Sequence, residues 1–114
     1  MVIKPGEKVH VMQRRAFETD VRRHFIGEVT EASEFVIRVT GYAFVLDKGT
    51  NQYVRRAERR DRVVSLVSGS LIIKIISPNA KIEKASYVVG KDGHLCVTDG
   101  ENFTLDINEF GAKQ

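Results

Sequence analysis

The pattern that most constrains this chain is a succession of short runs rich in β-branched residues, each closed by a cluster of turn formers. Such runs need a sheet to bury alternate side chains, so the pattern predicts an all-β domain. Lys4-Pro5-Gly6 makes an entry turn, and Val9 and Val11 then alternate with His10 and Met12 at the period of a half-buried strand. Residues 22–31 read as a second strand interrupted by Gly27. A glycine inside a strand marks a bend or a close approach of two backbones, as a small barrel needs at its corners. The longest candidate is 35–46, in which Phe35, Ile37 and Val39 alternate with Val36, Arg38 and Thr40, and Tyr42, Phe44 and Leu46 share a face beyond Gly41.

Asp47-Lys48-Gly49-Thr50-Asn51 is a dense turn signal that predicts a hairpin. The return strand runs through Tyr53 and an arginine-rich stretch to 63–67, and Ser68-Gly69-Ser70 makes the next turn. Residues 71–77 form a nearly continuous apolar strand, suited to burial on both faces or to a subunit contact. Pro78-Asn79 closes a unit of 77 residues. Beyond it, 81–89, 94–98 and 103–107 read as a three-strand meander with turns at 90–93 and 99–102, followed by a frayed tail from 108. Phe17, Val21 and Phe25 are spaced by four, as on a helix face; the strand character of 22–29 favours a hairpin with Glu18-Thr19-Asp20 as its turn. At 114 residues the chain fits one compact domain, a barrel over 1–77 with an added element over 78–114.

Several function classes are disfavoured. The apolar run Leu71-Ile72-Ile73 is broken by Lys74 and falls far short of a membrane span. The first residues lack the extended apolar region of a secretory signal, and a single cysteine, Cys96, makes no internal disulfide, so a cytoplasmic protein is expected. His10, His24 and His94 are scattered, with no carboxylate pair at a recognisable spacing, and no phosphate-cradling glycine loop is present. His94 and Cys96 share a strand face, which could hold half a metal site, but a zinc site wants about four ligands and nothing nearby completes it. The expectation is a non-enzymatic protein with no catalytic residues, cofactor or metal.

Charge carries the one positive signal. All ten arginines lie between Arg14 and Arg62, and residues 1–62 hold thirteen basic against nine acidic side chains. Residues 63–114 hold five against six, so the net +3 belongs to the first part. Arg55, Arg56, Arg59, Arg60 and Arg62 cluster behind Tyr53. Guanidinium forks suit phosphates and stack on bases, and aromatic faces such as Tyr53, Tyr42 and Phe44 suit single-stranded nucleic acid. The competing reading is a solvated arm whose arginines pair with Asp47, Glu58 and Asp61. Arg56 and Arg60 also have the RxxxR spacing of PilZ-like receptors, without the downstream [DN]xSxxG stretch of that family.

Residues 6–77 resemble the Sm-like (LSm) superfamily. Arg23-His-Phe-Ile-Gly-Glu-Val-Thr-Glu-Ala-Ser33 is similar to the start of the first Sm motif, with Gly27 at its bend glycine. Residues 62–78 are similar to the second motif, two strands joined by a short glycine turn. The family's RNA loop has an acid, an aromatic and an asparagine; here Phe35 supplies an aromatic and no asparagine follows, and Ser68 stands before Gly69 where the motif has arginine. The resemblance implies a strongly bent Sm-like or SH3-like barrel. It further implies self-association into a homo-oligomeric ring, with Leu71, Ile73 and Ile75 at the subunit edge, and single-stranded RNA as ligand. The alternative is a structural protein whose ring is its function and whose arginines serve subunit contacts.

Overall fold

The computed structural model describes residues 2–14 and 22–107, which are nearly all β. Its strands are β1 (Lys8–Gln13), β2 (Arg23–Ala32), β3 (Val36–Asp47), β4 (Gln52–Arg55), β5 (Arg60–Ser65) and β6 (Leu71–Ile76). A single 3₁₀ turn, Ile82–Lys84, then precedes β7 (Ser86–Val89), β8 (Leu95–Thr98) and β9 (Thr104–Asp106). The first six form one antiparallel sheet in the order β4-β3-β2-β1-β6, with β5 also pairing β3; the last three form a second sheet in chain order. Among the described residues no helix is long and apolar enough to cross a membrane.

The sequence pattern holds for the strands, with two differences. The return strand expected through the arginine stretch is split. Phe44 faces Arg55 and Gly41 faces Arg60, so four residues, 56–59, lie opposite the two residues Tyr42 and Ala43. The excess bulges outward from the ladder, and the side-chain alternation expected along 53–62 breaks there. Residues 82–84 are a 3₁₀ turn instead of the start of a strand, because that geometry places Ile82 and Ala85 on one side, where both are buried. The turn expected at Glu18-Thr19-Asp20 and the tail from 108 lie outside the described residues; β1 and β2 pair antiparallel, with Gln13 opposite Arg23.

Both faces of the large sheet are covered. Val9, Val11, Phe25, Val29, Ile37, Val39, Ala43 and Val64 make an inner core, against which Leu71 and Ile73 of β6 also pack. Strands at both ends of the sheet therefore reach the same core, which requires the sheet to curl. The opposite face presents Ile26, Phe44 and Ile76 to Ala80, Ile82, Ala85, Val97 and Ile107, so residues 80–107 cover the outside of the sheet. The Lys8 ammonium donates to the Ala80 carbonyl at 2.7 Å beside this junction. Asp99 is the main polar fastening of the cover. Its carboxylate accepts the backbone N–H groups of Lys81, Glu101, Asn102 and Phe103. Burial acts against the charged form, but those four donors outweigh it and hold the carboxyl well below its usual range.

Curling depends on Gly27 and Gly41, which are direct partners across β2 and β3. A Cβ on Gly41 would lie 2.0 Å from the Ile26 carbonyl oxygen and 2.5 Å from Gly27 Cα; one on Gly27 would lie 2.5 Å from the Thr40 carbonyl oxygen. These contacts are backbone and cannot rotate away. Gly69, in the β5–β6 turn, has nothing within 4 Å of the same position. Gly41→Ala is expected to destabilise the protein by about 1–3 kcal/mol or more through overpacking, while Gly69→Ala stays within about 0.5 kcal/mol of the parent. Urea unfolding of the two variants side by side checks this, and equal midpoints would refute the role given to the glycine contact.

Candidate functional site

The turn that launches the arginine arm is locally specified. The Asp47 carboxylate accepts the Gly49 N–H at 2.9 Å and the Thr50 hydroxyl at 3.2 Å, and Asn51 takes the left-handed conformation at φ 57°. The bulge at 56–59 then lets two arginines converge on one ring, with Arg55 at 4.8 Å and Arg59 at 5.7 Å from the centre of Tyr42. Arg55 also donates to the Glu83 carbonyl, which straps the arm to the 3₁₀ turn. Arg56, Arg59 and Arg60 are exposed.

The acids of the arm leave most of this charge standing. Glu58 reaches Arg60 at 3.6 Å, the one ion pair that the five arginines make among the described residues. Asp61 instead accepts the Thr40 hydroxyl at 2.6 Å, and Asp47 is engaged in its own turn.

The structure does not gather every expected site residue on one surface. Arg62 turns to the inner side, 5.3 Å from the Phe25 ring centre. There it lines a cleft of ≈ 260 Å³ with Arg23, Gln13, Ser65, Ser68 and Ser70. Phe35 is 61% exposed, but it precedes β3 at the end far from the Phe44–Arg55 pair, roughly 30 Å along the strand. Tyr53 does not project from the arm; its ring stacks with those of His24 and Tyr87. Of the expected edge residues, Leu71 and Ile73 are half-buried on the inner core, and Ile75 is exposed.

Tyr53 belongs to a buried cluster that sequence reasoning did not assemble. His10 and His24 project from the outer face of β1 and β2 with ring centres 4.9 Å apart. The Tyr87 hydroxyl lies between them, 3.0 Å from His10 Nε2 and 2.6 Å from His24 Nδ1. A hydroxyl has one proton, so it donates to one imidazole and accepts from the other. Among buried side-chain polar atoms of the described residues, His10 Nδ1 is the one without a partner. A bare acceptor is less costly there than a stranded N–H, so His10 Nε2–H donates to Tyr87 and Tyr87 donates to His24. Burial, then the charge on His24, then Lys74, pull the His10 pKa down to about 3; burial, then Arg22, then Lys74, pull His24 down to about 4. A groove of mixed polarity, ≈ 590 Å³ and lined in part by Arg22, Gln52, Tyr53, Tyr87, Leu46 and Leu95, adjoins the cluster.

His94 also gains neighbours the linear reading did not supply. Its Nδ1 lies 2.7 Å from Asp106 Oδ2 and 3.5 Å from Asp92 Oδ2. The Asp106 hydrogen bond raises the His94 pKa, against some desolvation, and the charges of Asp92 and Asp106 add to it. Cys96, directly opposite Asp106 in the ladder, has its thiol pushed up by burial and by the same two acids. The signal was present in part, since residues 92, 94 and 96 alternate along one segment; Asp106 required knowledge of the β8–β9 register.

No protein-family model, curated protein or solved structure matches the chain. The site must therefore be read from its own chemistry.

The histidine cluster sets a pH dependence. Both imidazoles are neutral in the folded protein, with pKa values of about 3 and about 4, and titrate near 6.5 when exposed. As pH falls through 6.5 the unfolded chain takes up protons that the folded one refuses, so this contribution is intact above 6.5 and is lost progressively toward pH 4. His94, with its raised pKa, acts with the opposite sign, but it is solvent-screened. Unfolding free energy is expected to drop between pH 7 and 4.5 by up to about 1.4 kcal/mol per pH unit for each buried histidine. Tyr87→Phe, which strands both imidazoles, is expected to cost about 1–3 kcal/mol at pH 7.5. Denaturant titrations at both pH values check the two expectations; a flat profile contradicts the first.

Proposed function

We propose that this protein is a non-enzymatic, cytoplasmic binding module that takes a polyanion, with single-stranded RNA the favoured ligand, on its arginine arm. The observation that carries the reading is the charge of that arm, where among the described residues Glu58 is the one carboxylate paired with any of the five arginines and Asp61 and Asp47 are occupied elsewhere. Arg55 and Arg59 over Tyr42 form a flat cationic platform on which a base or phosphate can seat, and Arg56 and Arg60 flank it in solvent. Arg62 with Arg23 in the inner cleft supplies a second cationic position, and Phe35 an exposed ring at the other end of β3.

The reading includes self-association. Among the described residues β5 and β6 each leave one edge unpaired in the sheet order, and the exposed side chains Val63, Val67 and Ile75 lie on or next to them. Such edges invite pairing with another chain. Joining β5 of one copy to β6 of the next is a head-to-tail contact that closes into a ring when the rotation permits, the arrangement implied by the Sm-like resemblance of residues 6–77. The same edges favour the second reading, an assembly whose ring is itself the function.

Fluorescence anisotropy with a labelled single-stranded RNA across a salt series, beside light scattering of the same samples, separates the two. Binding through about three phosphates predicts a loss of affinity on the order of tenfold between about 50 and 200 mM salt. Arg56→Glu with Arg59→Glu is expected to abolish binding and leave the oligomer intact. Absence of binding at low salt overturns the RNA reading, and dissociation of the oligomer by the same changes favours the assembly reading.

A further inference from the structure

We infer that Asp92, His94 and Asp106 form a binding site for a divalent transition-metal ion of the zinc class. The three donor atoms, two carboxylate oxygens and the His94 imidazole nitrogen, lie within 4.8 Å of one another. They come from separate pieces of chain that the second sheet brings together. Asp92 sits in the turn before β8, His94 immediately precedes β8, and Asp106 ends β9 directly across from Cys96.

The spacing is that of a coordination shell waiting to contract around an ion. Zinc binds imidazole nitrogen and carboxylate oxygen at about 2.0–2.2 Å, which for tetrahedral angles puts donors roughly 3.4 Å apart. The distances from His94 Nδ1, 2.7 Å to Asp106 and 3.5 Å to Asp92, bracket that value. The three donor atoms lie within 4.8 Å of one another, so side-chain adjustments on the order of an ångström bring them to a common ion.

Two features hold the donors in place independently of any ion. The second Asp92 oxygen, Oδ1, accepts the His94 backbone N–H at 2.9 Å, so the carboxylate is anchored with Oδ2 turned to the imidazole. The turn beneath it is closed by the Gly90 N–H donating to the His94 carbonyl at 2.8 Å and the Gly93 N–H donating to the Gly90 carbonyl at 3.0 Å. Two carboxylates and one imidazole converge there, a donor set whose negative charge a divalent cation complements. A mixed set of one imidazole and two carboxylates suits zinc better than magnesium or calcium, which favour all-oxygen shells. Three protein ligands leave a coordination position for water or for a ligand atom.

The experiment is a zinc titration of tag-free full-length protein by calorimetry and by competition with a chromophoric chelator, alongside cobalt(II) absorption spectra. Wild-type protein is expected to bind one zinc per chain, without displacement by magnesium, and to give the visible band of four-coordinate cobalt. The isosteric changes Asp92→Asn and Asp106→Asn, and His94→Ala, are expected to weaken zinc binding by at least about tenfold, with unchanged circular dichroism. Cys96→Ala is expected to bind as wild type. No stoichiometric zinc in the wild type overturns the site, as does undiminished affinity in Asp106→Asn. Loss of binding in Cys96→Ala with retention in Asp106→Asn overturns this donor set.

Discussion

The backbone contact between Gly27 and Gly41 is the constraint on which the rest of the structure depends. With no Cβ on either residue, β2 and β3 close to a separation that any side chain would prevent. The sheet curls at that point, and side chains from β5 and β6, far apart in the strand order, both reach the inner core. Curling buries one face of the sheet and leaves the other convex. That outer face carries Ile26 and Phe44, too apolar to remain in water, so a second layer is obligatory and residues 80–107 supply it.

The cover is fastened by polar chemistry as well as by apolar burial. Tyr87 supplies the hydroxyl that bonds two buried imidazoles at once, and Asp99 collects three backbone donors of its own turn together with the Lys81 N–H. Arg55 adds a strap from the arginine arm to the 3₁₀ turn. The arm is thus tied to the cover at its root, through Arg55 and the Tyr53 stack, while Arg56, Arg59 and Arg60 remain in solvent. A rigid root with a solvated cationic bulge is a suitable way to present charge to a ligand, because little ordering entropy remains to be lost on binding.

Much of the fold was legible in the chain. Period-two alternation marks β1, β2 and β3, the turn residues at 47–51 and 68–70 fall where the chain reverses, and Gly27 announces the bend. The site was legible in composition but less so in placement. Arginine density identified the arm, yet the bulge that carries Arg59 onto Tyr42 follows from a register mismatch of two residues, which no local pattern encodes. Tyr53 has the composition of a stacking residue for a ligand; only the presence of Tyr87 and His24 makes it a structural one.

By itself the sequence determined the all-β class, the strand boundaries to within a few residues, the bend and the confinement of arginine to the first part of the chain. These are local properties, set by side-chain periodicity, turn chemistry and counts. Tertiary structure alone decided which side chains meet. It placed His10 beside His24 under Tyr87, turned Arg62 away from Arg55 and Arg59, and brought Asp106 to His94 from twelve residues away. The physical reason is that a strand specifies which residues share a face but not what covers that face. Cover depends on the curl of the sheet and the register between strands, both fixed by contacts between distant parts of the chain.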